Sequence, residues 1–461
     1  MASSIRVIST SNIHLASQNS DSTRKIELGP WDLQVLLLDL IQVGFLYHYP
    51  KANKGTVIQH LKSSLSFTLD FFPQLAGRLA VMDHDDGTSS VFIHCNNTGA
   101  LFIHALAENL TISDILLPVY LPPIVRSFFP FTEAKNYQGT HKPLFTVQVT
   151  ELVDGFFMGF TVNHALADGK ALFHFLTCWS EISRGGGLLS KPPTMERWFL
   201  NGIERPMRIR FPKEGDHEKE KLNSPLLPER VFHFSKAKIV ELKAKASSTV
   251  GSNHKLSSLQ VLMAHLWRAI IRNQGIDPKQ KVNFKLVVDI RPRMNPPLGD
   301  NYLGNALDDG TLSMTAGELL RQEGLAKAAL EMNKVVAMYT EETIVSHLKS
   351  WLEDRRILTI SEMFGEAVDM GGAPTFNVFG IDFGWGKPVM VRSGPGDKSH
   401  GTITVFAGPE EGDIYAEVNL PHEIMETLAR DSEFMDAVTP AVGFFTAATI
   451  KKMTTTIRSS L

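Results

Sequence analysis

The chain has 461 residues, 43% of them apolar, and its 46 Lys and Arg against 49 Asp and Glu give a formal net charge of −3. That balance lacks the basic footprint a nucleic-acid binder needs to neutralise phosphates, and two cysteines, Cys95 and Cys178, cannot frame a disulfide scaffold of this size. No apolar run approaches the ~20 residues of a membrane span and Met1 to Thr10 lacks a signal-peptide core, so the expectation is a monomer in the reducing cytoplasm, with neither nucleic acid nor membrane as partner.

A chain of this length fills two medium cores more readily than one. Residues 32–45 are apolar nearly throughout and predict a core helix. Val57, Ile58, Leu61, Leu65 and Leu69 predict a second helix, which Pro73 stops. Residues 145–151 and 156–162 are rich in aromatic and β-branched side chains and flank Asp154-Gly155, a short-hairpin signal, so two antiparallel strands are predicted there. After Gly169, Leu172, Phe173, Phe175, Leu176, Trp179 and Ile182 take helical spacing until Gly185-Gly186-Gly187. Residues 205–228 hold four prolines and the run Glu218-Lys219-Glu220-Lys221, and read as a linker between an N-terminal domain, 1–204, and a C-terminal domain, 229–461. Beyond it come a strand at 231–234, helices at 237–246 and 257–271, and a strand at 282–290. A long helix around 319–339, strands near Val378, Val389, 403–406 and 414–418, and a final helix complete an α/β pattern.

Two short segments carry chemistry. His164-Ala-Leu-Ala-Asp168-Gly169 falls where the second hairpin strand runs into a helix, a place where functional side chains concentrate. Among 16 histidines, chance alone gives about one His-x-x-x-Asp match, so context has to carry the choice, and His164 becomes the candidate general base. Asp168 either orients that imidazole, as in hydrolase triads, or fixes the loop by pairing with an arginine; the structural role is favoured. Asp382-Phe-Gly-Trp385-Gly386 is the second segment, either a tight turn anchoring a tryptophan or part of a site. Rival chemistries lack their signatures. There is no Gly-x-Ser-x-Gly elbow, Walker loop or dinucleotide fingerprint, and His422-Glu423-Ile-Met-Glu426 fails the zinc-protease pattern, so no metal is expected. Cys178 and His174, on the apolar helix, read as core. Lys255, Ser257 and Ser258 open a helix and suit the phosphates of a bound co-substrate, or only cap it.

The two segments together resemble the BAHD family of plant acyl-CoA-dependent acyltransferases, whose members carry His-x-x-x-Asp and Asp-Phe-Gly-Trp-Gly. The likeness extends to Leu28-Gly-Pro-Trp31-Asp32, Phe72-Pro-Gln-Leu-Ala-Gly77-Arg78-Leu79, Asp289-Ile-Arg291-Pro-Arg293 and Asn301-Tyr302-Leu-Gly304-Asn305. Residues 136–155 look most like a sub-group of uncharacterised acetyltransferases. The resemblance implies two chloramphenicol-acetyltransferase-like α/β domains of similar size with a channel at their interface. Acyl-CoA would be co-substrate with no permanently bound cofactor, a small molecule would be the acceptor, and His164 would lie in the channel. It further implies that Arg291 or Arg293 pairs with Asp168 and that Asp382 holds the architecture by ion pairing, although that residue is sometimes assigned as a proton acceptor. Trp385 would help stabilise an oxyanion or would simply pack. Ala306, and Gly372-Ala-Pro-Thr375 ahead of Asp382, depart from commoner family strings and leave the acceptor open. Two other functions fit the scaffold: a CoA-independent lyase or intramolecular acyl-shift enzyme, and a non-catalytic binding protein.

Overall fold

The computed structural model describes residues 5–17, 24–50, 54–213, 227–251, 255–363, 365, 367–396 and 398–440. Two six-stranded mixed sheets dominate it. The first runs Arg6–Ile13, Ala100–Leu106, Phe145–Glu151, Gly155–Val162, Ile41–His48, Met390–Ser393. The second runs Leu307–Thr315, Lys281–Asp289, Val368–Gly372, Thr402–Ala407, Ile414–Asn419, Glu229–Phe234. A three-stranded sheet of Lys25–Glu27, Ser89–His94 and Arg78–Asp83 stands apart.

The hairpin around Asp154-Gly155 forms as its turn chemistry demands, pairing Phe145 with Val162 and Glu151 with Phe156. Every residue of Gly155–Val162 is buried, because helices Val57–Leu69 and Gly169–Ser183 cover one face and the segment 110–129 packs on the other. The two helices are tied together where the Trp179 indole donates to Ser64 Oγ at 3.0 Å.

Residues 32–45 do not form the expected helix. Pro30–Gln34 is a single short helix, and the chain then extends into the strand Ile41–His48. A strand buried on both faces is apolar throughout, and an apolar run without polar interruptions carries neither the helical nor the strand period. The expected helix at 319–339 is two, Ala316–Leu320 and Gly324–Met338. Thr315 and Glu318 close a capping box on the first of them. Near Val378 the chain makes a 3₁₀ turn, Val378–Gly380, in place of the expected strand.

The division at 205–228 is crossed further along the chain. Met390–Ser393 runs antiparallel to Ile41–His48, with Met390 opposite Leu46 and Ser393 opposite Val43. Val378, Ile381, Phe383 and Val391 join the core around Trp179. Part of the segment assigned to 229–461 therefore completes the first sheet, the physical reason being that this edge strand and its aromatic lead-in find their apolar partners there. Of the supposed linker, Ile209 exchanges backbone hydrogen bonds of 2.8 and 3.0 Å with Ser89, and residues 214–226 lie outside the described residues. Behind the second sheet, helix Ser258–Asn273 is buried from Val261 to Ile271.

Candidate active site

Strand Gly155–Val162 delivers the chain into a tight loop held from several sides. Asn163 Oδ1 accepts the Ala165 N–H at 3.0 Å, and its amide donates to the Asn136 carbonyl at 2.7 Å. Asn136 Oδ1 in turn accepts the His164 N–H at 2.6 Å. The loop ends on Asp168, which accepts the Ala171 N–H at 3.0 Å as the N-cap of helix Gly169–Ser183.

Asp168 bonds to Arg291 and not to the imidazole. Its two oxygens take both terminal nitrogens of Arg291 at 2.8 and 2.9 Å, with the two side chains fully buried, and Oδ2 also accepts the Ala306 N–H at 3.1 Å. Arg291 makes this pair; Arg293 instead donates to the Tyr339 carbonyl at 2.8 Å. A planar guanidinium matched to a carboxylate in this two-point way fixes orientation as well as charge.

A second buried pair escapes the sequence. Asp32 and Arg197 meet at 2.8 Å with both side chains 2% exposed, and Arg197 donates to the Leu166 carbonyl at 2.8 Å. Gly304 belongs to this contact, since a Cβ there would sit 2.4 Å from Arg197 Nη1. Asn305 completes it: its amide nitrogen donates to Asp32 Oδ1 at 2.8 Å and to the His164 carbonyl at 2.6 Å. Trp31-Asp32 and Gly304-Asn305 stand out as strings, but no spacing rule pairs residues 273 apart.

His164 is half-buried, and its Nδ1 is buried. Burial lowers its pKa below 6.5, against the opposing pull of its own carbonyl, Asp168, Asn305 and Asp32. Burial thus favours the neutral form of the imidazole.

Asp382 to Gly386 lies elsewhere. Asp382 Oδ1 accepts the N–H groups of Gly384 and Gly386 at 2.8 and 2.9 Å, closing a turn whose glycines have φ of +112° and +120°. Glycine alone takes those angles without strain. The expected ion pair of Asp382 is absent among the described residues: Arg184 donates to its carbonyl, and its carboxylate serves its own turn. Ser183 Oγ donates to the Phe383 carbonyl at 2.7 Å. Phe383 packs on Trp179 at 5.1 Å, and Trp385 lies among Tyr47, His60 and Phe156 at 5.6–6.4 Å. The motif therefore fastens to the C-terminal end of the fifteen-residue helix Gly169–Ser183, whose N-terminal end carries the His164 loop. At 1.5 Å per residue the two ends are roughly 20 Å apart. A proton-acceptor role for Asp382 or an oxyanion role for Trp385 would need either residue beside His164, and the length of the helix separates them from it.

The family model described as the Transferase family matches residues 3–435. The chain belongs to this family, the BAHD acyltransferases. An uncharacterised acetyltransferase of Arabidopsis thaliana is 36% identical over 94% of this chain and 99% of its own. The Arabidopsis BAHD acyltransferase DCR is 30% identical, with 92% of each chain covered. Among solved structures, TRI101 of F. graminearum complexed with coenzyme A and T-2 mycotoxin superposes with a TM-score of 0.73 at 18% identity, over 91% of this chain and 100% of that one. The shared mixed α/β fold is chloramphenicol-acetyltransferase-like.

In this BAHD chain Lys255, Ser257 and Ser258 sit at the start of helix Ser258–Asn273. Ser257 is occupied as a cap, its Oγ accepting the Gln260 N–H at 3.1 Å and its N–H donating to Gln260 Oε1 at 3.0 Å. Lys255 is exposed. Cys178 lies 3.6 Å from His174, and burial pushes its thiol up to about 12, so it is no nucleophile at neutral pH. No described group of His, Cys, Asp and Glu side chains has the arrangement of a metal site, and no helix among the described residues is long and apolar enough to cross a membrane.

Proposed function

We propose that the protein transfers an acyl group from an acyl-CoA thioester to a hydroxyl or amine of a plant specialised metabolite, with His164 as general base and no covalent enzyme intermediate. One observation carries this reading: a half-buried His164, whose burial favours the neutral imidazole, stands on a loop immobilised by two buried carboxylate–guanidinium pairs. A base held rigidly in its neutral form needs no reorganisation before it accepts a proton.

His164 Nε2 removes the proton from the acceptor hydroxyl or amine as its oxygen or nitrogen attacks the thioester carbonyl. The tetrahedral oxyanion collapses, the carbon–sulfur bond breaks, and the imidazolium returns its proton to the departing thiolate. A thioester is already activated, so a nucleophilic side chain is unnecessary, and holding both substrates together supplies much of the rate. For the phosphates of the donor we propose Lys255 and Ser258 beside the helix start at Ser257, where a cation and the positive end of the helix dipole favour anions. Asp382 and Trp385 take no part in bond making; Asp168, through Arg291, holds the loop.

The test offers the purified protein a panel of acyl-CoAs against phenolic, alcohol and amine acceptors, and detects free thiol. Thiol release that depends on both substrates is expected. If no pair released thiol above background, the transferase reading would fail. Turnover of an ester or amide with no thioester present would favour the lyase or acyl-shift alternative.

A further inference from the structure

Gly371 is a glycine that the fold does not require. It sits in strand Val368–Gly372, an interior strand of the second sheet, where a side chain would strengthen the pairing. A glycine inside a strand marks a bulge, a closely approaching backbone or a bound ligand. Residues 369–372 pair one to one with 402–405, so there is no bulge. No backbone presses on it either, since a Cβ at Gly371 would meet no described atom within 4 Å. Its φ is not positive, unlike that of Gly372, which is +75° and where a Cβ would lie 2.5 Å from the Val405 carbonyl oxygen. Room for a ligand is the reason left.

That room lies on the face of the sheet turned toward the first half. Alternation puts Val287, Gly371 and Thr404 opposite the buried Leu286, Met370 and Val405, because Lys285 pairs with Asp369 and Gly371 with Thr404. This face is pinned to the first half at two points. Asp289 Oδ2 takes Lys170 Nζ at 2.9 Å, and Glu417 Oε2 accepts the Ser393 N–H at 3.0 Å. Between the two pins Val287, on an interior strand, is 39% exposed, and Gly371 and Thr404 are half-buried. The cleft so formed reaches the His164 loop. Lys170 follows directly on that loop, and Val287 lies two residues from Asp289, roughly 7 Å along the strand. The Phe376 ring, on the segment after Gly372, is 3.5 Å from where a Gly169 Cβ would be.

We propose that this cleft seats a neutral planar ring carried by the acyl donor or by the acceptor, laid flat on the Gly371 backbone, and that Gly371 sets the size the site admits. Val287 and the Phe376 ring, itself stacked on Phe173 at 4.6 Å, give it apolar walls. The charges at its border are already committed. Lys285 Nζ donates to the Glu362 and Met363 carbonyls at 2.7 and 2.8 Å, and Asp369 accepts from the Thr402 hydroxyl at 3.0 Å. Asp309, opposite Val287 on the edge strand, would repel an anion.

This rests on the reading of His164 as the base of an acyl transfer, but two parts of its test need no turnover. Gly371→Val puts a branched side chain into open space in a strand, so the variant should melt at or above the wild-type temperature. A lower melting temperature, or failure to fold, would show the space already filled and overturn the proposal. Saturation-transfer NMR with benzoyl-CoA, and with 2-phenylethanol in the presence of coenzyme A, reads contact directly. Ring-proton signals from at least one of the two are expected with the wild type and should vanish in Gly371→Val, while the adenine signals of the coenzyme persist. No ring signal from either, or one that survives the substitution, refutes it; the ring that is lost tells donor from acceptor. In turnover, kcat/KM for the ring-bearing substrate should fall about 10-fold or more in the variant, and that for acetyl-CoA with an aliphatic alcohol less than about 3-fold. Equal losses for both would also refute it. Absence of activity with every thioester would sink the transferase reading and leave the melting and NMR results to decide this one.

Discussion

Burial holds the His164 pKa below 6.5 while its own carbonyl, Asp168, Asn305 and Asp32 pull upward. The sign of the expected pH dependence follows: kcat/KM stays level through neutral pH and falls on the acid side, with an apparent pKa under 6.5. An acid limb centred above 6.5 would contradict the burial-dominated environment. Replacing the base removes its proton transfer, so His164→Ala should lose ~10²-fold or more in turnover and melt as the wild type does. At Asp382 the geometry separates two substitutions. Asp382→Asn keeps an oxygen for the Gly384 and Gly386 N–H groups and should retain turnover, whereas Asp382→Ala gives up both hydrogen bonds at an exposed turn and should lose roughly 0.5–1.5 kcal/mol of stability. Thermal melts and turnover of the two variants decide this; abolished turnover with unchanged melting in Asp382→Asn would return the residue to the chemistry.

Strand Val368–Gly372 shows how an element carries its own pH dependence. Asp369 sits inside the second sheet, 5% exposed, and burial raises its pKa from 3.8 to about 7, against the Thr402 hydroxyl at 3.0 Å and the charge of Lys285. The folded state holds this proton where the unfolded chain has released it, so the stabilisation is complete below about pH 4 and is lost as pH rises through about 7. Asp369→Asn, which keeps an oxygen for Thr402, should flatten that slope. Melting temperatures at pH 5 and pH 8 measure it, and a variant as pH-sensitive as the wild type would exclude Asp369 as the source. Elements also differ in how plainly they are written. The hairpin at Asp154-Gly155 is legible because turn residues and flanking strands are contiguous. Ile41–His48 is not, because a central strand covered on both faces keeps no alternation.

Across the whole molecule, Asp168 from the first half and Arg291 from the second are fully buried together, while Met390–Ser393 carries the later chain into the first sheet. Unfolding one half must strand a charge and open a sheet edge in the other. Asp168→Ala leaves the Arg291 guanidinium unpaired in the interior, except for Asp289 at 3.3 Å, and should cost roughly 3–5 kcal/mol in urea unfolding. A loss under about 1 kcal/mol would show that the pair does not secure the junction. The sequence by itself determined what neighbouring residues can encode: the hairpin, the helix after Gly169, the His164 loop at a strand end, and two strings specific enough to indicate the family. The tertiary structure alone decided that Asp168 serves Arg291 and not the imidazole, that Asp32, Arg197 and Asn305 form a second support, and that Asp382 to Gly386 lies at the far end of the helix. Those outcomes depend on which buried faces meet across separations of 123 to 273 residues, and periodicity and turn chemistry act only over the few residues of one element.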